Sequence, residues 1–297
     1  MVSEIAVLGP GGVGGFVAAA LHRAGEDVAV VAREATAEWI NGNGITVSSV
    51  LLGDFVARPP ATASLAEPVG VLLVTTKATT LQEALGRIEA EPALVVPLLN
   101  GIEHVQTLRE RFGPARVAPG VIRIDCDRPA SGRIVQKSPS VRVDLAGARD
   151  PRVERLAERL RRAGIETRIG AGEAEIVWSK LIRLNALACT TSAADRPIGF
   201  IRSDPRWRSA LEGCIRETAA VAAAEGAALD PADTLNELDH AHAELGSSMR
   251  RDIVAGREPE LDAIAGAVIR AGARHGIRCP TVTWLRDRIA ARVRAAA

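Results

Sequence analysis

The start of the chain constrains it most: the apolar run Ile5-Ala-Val-Leu8 meets Gly9-Pro-Gly-Gly-Val-Gly14, and a helical pattern continues from Val13 to about Ala24. A short apolar run bounded by glycine reads as a buried strand. A second such run, Val28-Ala-Val-Val31, follows Gly25-Glu-Asp27. Strand, glycine turn, helix and strand make a βαβ unit, whose parallel strands need helices to cover them. At this spacing Gly9 allows the tight turn, Gly11 lets the backbone approach a pyrophosphate and Gly14 lets the helix pack close on the strand. The helix N-terminus offers its amides to the phosphates. Gly9, Gly11, Gly12 and Gly14 are therefore the first cofactor-binding candidates, for a dinucleotide.

The end of the second strand discriminates between dinucleotides. An acid there holds a ribose 2′-hydroxyl, whereas a 2′-phosphate needs a cation. The strand ends Val31-Ala32-Arg33, so Arg33 favours NADP(H), through charge-assisted hydrogen bonds to the phosphate. Glu34 beside it keeps NAD as the alternative. Further strands are expected at Gly70–Thr75 and Ala93–Leu98, followed by Thr76-Lys77 and Asn100-Gly101. Ligands of open α/β sheets bind beyond the carboxyl ends of the strands, which places Lys77 and Asn100 where cofactor and substrate would meet. Each has a plainer reading, Lys77 as a surface residue and Asn100-Gly101 as a turn. A more antiparallel stretch (Gly132–Val135 and Val141–Leu145), a helix near Val153–Ala163 and a short strand at Thr167–Ile169 complete this half.

From Glu173 onward the period changes from that of strands to that of helices. Trp207, Leu211, Ile215 and Ala222 share one helix face, and Asp204 or Ser203 caps that helix ahead of Pro205. The expected fold class is α/β: an N-terminal Rossmann-type dinucleotide-binding domain, residues 1–170, followed by an all-α substrate and catalytic domain, residues 171–297. Substrate sites in such arrangements commonly lie in the cleft between domains. Only three of the 37 basic residues are lysines, Lys77, Lys137 and Lys180. Lysine, unlike arginine, can exchange a proton near neutral pH. Lys180 opens a helix after Trp178-Ser179, where burial would lower its pKa toward acid/base use; its plainer reading is a surface lysine with its stem laid along apolar neighbours. Ser248 and Asp252 lie four apart on one helix face. Pro259 and Glu260 begin another helix, whose buried face is expected at Leu261, Ile264, Val268 and Ile269.

Composition excludes other classes. The 297 residues are 47% hydrophobic and carry a formal charge of +1, which suits a globular protein and provides no field for nucleic acid. The arginines of the C-terminal helix (Arg286, Arg288, Arg292, Arg294) are interleaved with apolar positions and Asp287, an ordinary amphipathic pattern. Cys126, Cys189, Cys214 and Cys279 are widely spaced, no metal site is expected, and the cysteines read as reduced core residues. No apolar run has the length of a signal or a membrane span, so the cytoplasm is the expected location, with no membrane partner. The helical faces suit a homodimer, although no charge alternation specifies one.

In this order, Gly9–Gly14, Thr76-Lys77-Ala78, Asn100-Gly101, Trp178-Ser-Lys180-Leu181, Arg196-Pro-Ile-Gly199, Ser247–Asp252 and Glu260-Leu-Asp262 leading to Gly266 resemble the ketopantoate reductase (2-dehydropantoate 2-reductase) family over nearly the whole chain. The resemblance implies NADPH-dependent reduction of a small 2-oxo acid, ketopantoate to pantoate or a close relative, and a place in pantothenate biosynthesis. It implies Lys180 as general acid, with Glu260 holding the substrate and orienting the site. Asn100 and Lys77 would contact nicotinamide, ribose or substrate, Ser248 and Asp252 the substrate, and Arg33 the 2′-phosphate. The sequence departs from the family at Leu184 and Ala188, where asparagines stand four and eight residues after the lysine. Asn185 lies one step on, about 100° around the helix, and is the remaining substrate-binding candidate. Leu99 and Ala265 also replace residues common in the family. A relative acting on another carbonyl or an imine, a dehydrogenase working in reverse, and a non-catalytic dinucleotide sensor are the competing readings.

Overall fold

The computed structural model describes residues 4–170 and 172–296; Ala171, with which the expected second domain begins, lies outside them. The chain divides into two compact units, Met1–Leu99 with His104–Ile176, and Asn100–Glu103 with Val177–Ala297.

The first unit follows the order β1 (Ile5–Leu8), α1 (Gly12–Arg23), β2 (Val28–Val31), α2 (Glu34–Asn43), β3 (Ile45–Ser49), β4 (Phe55–Ala57), β5 (Ala61–Thr62), β6 (Val71–Val74), α3 (Leu81–Leu85), β7 (Leu94–Pro97) and α4 (His104–Phe112). There follow β8 (Gly120–Arg123), β9 (Cys126–Ala130), β10 (Arg133–Gln136), β11 (Arg142–Ala146), α5 (Pro151–Arg162) and β12 (Glu166–Gly170). Its main sheet is parallel throughout, ordered β5-β2-β1-β6-β7, with β1 central. Both faces of this sheet are covered, which explains why its strands read as unbroken apolar runs. Ile5 and Val7 face a core with Phe16, Val17 and Leu21 of α1, while Ala6 and Leu8 face another with Leu81 and Leu85 of α3 and Val105, Leu108 and Phe112 of α4. This is a Rossmann-like sheet, as expected from the βαβ pattern.

The stretch read as more antiparallel is mixed. β10 and β11 do not pair with each other: β10 lies in a four-stranded sheet, β4-β3-β10-β9, and β11 in a three-stranded one, β12-β11-β8. Each has one antiparallel and one parallel neighbour. Local alternation reports which residues are half-buried but not which strand they pair with.

The second unit is helical: α6 (Glu173–Ala194, begun in the first unit), α7 (Ile198–Ser203), α8 (Pro205–Ala224), α9 (Pro231–His240), α10 (Ser248–Val254), α11 (Ala267–Arg274) and α12 (Pro280–Ala296). Asp204 caps α8, accepting from the amides of Arg206 and Trp207, both at 3.0 Å. Ser203 instead donates to the Gly199 carbonyl. Trp207, Leu211, Ile215 and Ala222 are all buried. A π turn, Asp262–Gly266, precedes α11. Its extra residue rotates the face that follows, so Leu261 and Ile269 are only half-buried and the core takes Ile264, Ala265, Ala267 and Val268.

The end of α6 shows what the C-terminal arginines do. Asp195 has φ 55°, the left-handed conformation that usually falls to glycine after a helix, and the Arg196 amide reaches back to the Thr191 carbonyl. Arg288 and Arg292 of α12 donate to the carbonyls of Ala193 and Ser192, satisfying acceptors the helix leaves open. Asp195 also pairs with Arg250 and Arg292 at 2.9 Å each. The hydrogen bond from Arg250 holds its carboxyl below the usual value, so the ionised form stabilises the fold above the unfolded pKa and that gain is lost as pH falls through the lower folded value. Asp195→Asn keeps a residue that tolerates the turn and should cost about 0.5–1 kcal/mol at neutral pH. Urea midpoints of the two proteins should converge as pH falls from about 4 toward 2.

Candidate active site

In the first unit the candidate residues gather at the carboxyl end of the sheet. Gly9 follows β1 with φ 90°, and a Cβ there would come within 2.7 Å of Thr76 Cγ2 at the end of β6. Thr75 Oγ1 donates to the Leu8 and Gly9 carbonyls at 2.8 and 2.9 Å, holding the glycine turn from the neighbouring strand. A Cβ on Gly14 would overlap Thr75 Oγ1 and the Gly9 carbonyl, and one on Gly12 would lie 2.8 Å from the Cys126 carbonyl. Gly11 is different. It is the N-cap of α1, no side chain caps the helix there, and a Cβ on it would meet nothing within 4 Å. Packing thus requires glycine at 9, 12 and 14, whereas at Gly11 the space is open beside an uncapped helix N-terminus.

Two further atoms bear on a bound dinucleotide. Thr76 Oγ1 is buried and has no hydrogen-bond partner among the described residues. An unsatisfied buried hydroxyl calls for an explanation, and a ligand at the strand end supplies one. The open amides, the absence of a side chain at Gly11 and the unpartnered hydroxyl fit a dinucleotide's phosphates. Arg33 stands at the N-cap of α2 after β2, exposed, and pairs with Glu83 at 3.4 Å. Glu83 also pairs with Arg87 one helical turn on, at 3.5 Å. Lys77 precedes a short 3-10 turn, Ala78–Thr80, after β6.

In the second unit one pair of candidates meets. Asn100 Nδ2 donates to Glu260 Oε2 at 2.8 Å, across 160 positions of sequence. Glu260 is 8% exposed and stands just before the helix that opens at Leu261, with its carbonyl accepting from the Ile264 amide at 3.1 Å. A buried carboxylate at a helix start is favoured by the helix dipole and by this donor. Lys180 lies half-buried on α6, with Leu184 half-buried and Ala188 buried at the following turns of the same face.

Other candidates are placed differently. Asn185 is fully buried within the helical unit, donating to Thr218 Oγ1 at 2.9 Å and accepting from Cys189 Sγ at 3.2 Å. Its side-chain nitrogen and oxygen are both bonded to neighbours within the helical unit. Ser248 is exposed while Asp252 is buried, so the two do not share one environment; Asp252 accepts from Arg257 Nε at 2.8 Å. Ser247 caps α10 through the Arg250 amide and lies 3.0 Å from Thr191 Oγ1. The cysteines are poor nucleophiles: burial pushes the thiols of Cys126 and Cys189 up to about 12 and raises Cys214 and Cys279 as well.

Thr76 entered the sequence reading only as part of the string Thr76-Lys77-Ala78, with no role of its own, and Glu83 did not enter it. A threonine at a strand end has no distinguishing pattern, and Glu83 lies 50 positions from the arginine it meets, beyond any local signal.

Residues 5–147 match the family described as Ketopantoate reductase PanE/ApbA, and residues 174–292 match Ketopantoate reductase PanE/ApbA C terminal. A 2-dehydropantoate 2-reductase from Caulobacter vibrioides is 32% identical over 94% of this chain and 95% of its own. The crystal structure of 2-dehydropantoate 2-reductase from Geobacter metallireducens GS-15 superposes with a TM-score of 0.87 at 29% identity, covering 96% of this chain and 98% of that one. D-mandelate dehydrogenase, solved with NADH and anilino(oxo)acetate, shares the fold with a TM-score of 0.89 at 21% identity, covering 98% of each chain.

The glycine turn is the part of this site whose failure is easiest to read. Gly14→Ala must push α1 away from Thr75 and the Gly9 carbonyl, at a cost of about 1–3 kcal/mol. Gly11→Ala meets no protein atom and should leave the thermal midpoint nearly unchanged while weakening dinucleotide binding. Melting curves with and without NADPH and NADH separate the two effects.

Proposed function

The chain belongs to the ketopantoate reductase family, oxidoreductases that use a nicotinamide dinucleotide, and from that premise we propose that it reduces a 2-oxo acid with NADPH, ketopantoate being the first candidate. The observation that carries this reading is the Asn100–Glu260 hydrogen bond: an amide that can donate to a substrate carboxylate or carbonyl and a carboxylate that can accept from a hydroxyl, remote in sequence, meet with Glu260 buried and Asn100 half-buried.

The roles follow from chemistry. Gly9, Gly11, Gly12 and Gly14 with the α1 amides hold the pyrophosphate, and Arg33 takes the 2′-phosphate. Lys77 and Asn100 contact nicotinamide, ribose or substrate. When bound, NADPH supplies the hydride that reduces the carbonyl carbon. As that carbon is reduced its oxygen becomes an alkoxide, and Lys180 donates the proton that neutralises it, then regains one from water. Glu260 orients Asn100 and the substrate, and Ser248 and Asp252 stand as further substrate contacts. Asn185, bonded within the core, is left out of this set.

One observation favours a second reading. Leu184 makes the next turn of Lys180's helix face apolar, and in this second reading the substrate is a 2-oxo acid with an apolar substituent in place of the hydroxyl-bearing ketopantoate. The anilino(oxo)acetate bound to D-mandelate dehydrogenase is a ligand of that kind.

The test is NADPH oxidation with ketopantoate and a panel of branched, unbranched and aromatic 2-oxo acids, with NADH as the comparison. Lys180→Ala is expected to lower kcat by about 10²–10⁴-fold with an unchanged melting midpoint; unaltered turnover removes Lys180 from the mechanism. Cofactor selectivity is read separately. Arg33→Ala should weaken NADPH and leave NADH unaffected. Glu83→Gln should tighten NADPH by about 2–5-fold by removing the competing carboxylate. Tight NADPH binding with no turnover across the panel supports the dinucleotide-sensor reading instead.

A further inference from the structure

Residues Asn100–Glu103, which follow β7 in sequence, pack with the helical unit. Four contacts hold them there. Asn100 donates to Glu260. Gly101 adopts φ 88°, and a Cβ on it would overlap the Ala263 carbonyl, so the backbone of this turn lies directly on the π turn Asp262–Gly266. Arg270, on α11, closes the arrangement from the other side. Its Nε and Nη2 donate to the two Glu103 carboxylate oxygens at 2.8 and 2.7 Å, the fork-on-fork geometry that fixes orientation as well as distance. The same guanidinium donates to Asp262 Oδ1 at 2.7 Å, Oδ2 at 3.0 Å and the Asp262 carbonyl at 3.1 Å. Gly266 leaves room for this, since a Cβ there would lie 2.5 Å from Asp262 Oδ1 and 3.0 Å from Arg270 Nη1.

One guanidinium therefore grips both segments that carry the Asn100–Glu260 pair: Glu103 three residues beyond Asn100, and Asp262 two residues beyond Glu260. The two flanking carboxylates sit on backbone of different kinds: Glu103 follows the positive-φ Gly101 in the turn before α4, and Asp262 opens the π segment, where its carbonyl accepts from the Ala267 amide. A lysine in place of Arg270 would bring a single point charge to two carboxylates and could not reproduce the planar fork.

We propose that Arg270 is a positioning residue for the reaction: by tying Glu103 to Asp262 it sets the separation and orientation of Asn100 and Glu260, with no contact of its own to substrate or cofactor. This rests on the reading that Asn100 and Glu260 serve the substrate. Both carboxylates and Arg270 are accessible to water, Glu103 and Arg270 at 43% each and Asp262 at 84%, so removing the arginine leaves groups that solvent can satisfy and the fold can keep.

The experiment compares wild type, Arg270→Ala, Arg270→Lys and Asn100→Ala, with the double variant Arg270→Ala/Asn100→Ala. Steady-state kinetics with NADPH and the best 2-oxo acid of the panel are measured beside NADPH affinity by fluorescence. A misplaced site group commonly costs between about 10- and 100-fold, so Arg270→Ala should lower kcat/KM by that much with NADPH affinity within twofold of wild type. Arg270→Lys should recover part of the loss. In the Asn100→Ala background the same substitution should add less than about threefold, because a positioning role acts through Asn100. A readout free of turnover accompanies these: the side-chain amide NMR signals of Asn100, assigned by their loss in Asn100→Ala, should shift in Arg270→Ala. Full activity of folded Arg270→Ala, or losses that multiply in the double variant, overturns the proposal. If wild type binds NADPH but turns over no substrate, the reading beneath the proposal fails, and that is seen before any variant is compared.

Discussion

The rest of the α/β unit depends on two ladders of parallel hydrogen bonds that share β1. Ile5 is level with Val28 and Val71, and Leu8 with Val31 and Val74. With the strands in that register, the chain leaves all three at one level. Gly9, Arg33 and Lys77 therefore emerge along one edge although the sequence separates them by dozens of residues. Thr75 then secures the edge from β6 by donating to the last carbonyl of β1 and to the first glycine. A one-residue slip of β6 would turn its side chains to the opposite faces and take Thr75 away from that turn.

Arginine does comparable work in the helical unit. Arg288 and Arg292 close the C-terminus of α6, Arg250 holds Asp195 in its left-handed turn, and Arg270 joins the Asn100–Glu103 turn to the π turn. Each of these places needs several donors directed at once, to carbonyls or to two-oxygen carboxylates. A planar guanidinium supplies them at small entropic cost, where an ammonium would offer only a point charge. This gives physical content to the arginines of the C-terminal helix, whose spacing alone read as an ordinary amphipathic pattern.

Much of this was legible in advance because it is local. The glycine spacing, the apolar runs of β1, β2, β6 and β7, the Asp204 cap and the buried stripe of α8 all depend on neighbours within a few residues. Where local pattern fell short, the packed structure decided. β10 and β11 carry the right alternation but join different sheets. Asn185 offered a polar group near Lys180 in sequence, yet its side of α6 is the one packed on Thr218 and Cys214. Leu261 and Ile269 would have been buried on a regular helix; the π turn moved the stripe.

By itself, then, the sequence determined a dinucleotide-type βαβ start, a change to helices near residue 170 and a set of polar residues whose order matches one family. Those properties follow from periodicity, backbone freedom at glycine and capping chemistry, all of which act over a turn or two of chain. Only the tertiary structure decided that Asn100 meets Glu260, that Arg33 is opposed by Glu83, that Thr76 presents an unpartnered hydroxyl and that Asn185 bonds to Thr218 within the helical core. A hydrogen bond or ion pair forms between atoms about 3 Å apart in space, and separation along the chain says nothing about that distance until the strands have paired and the helices have packed.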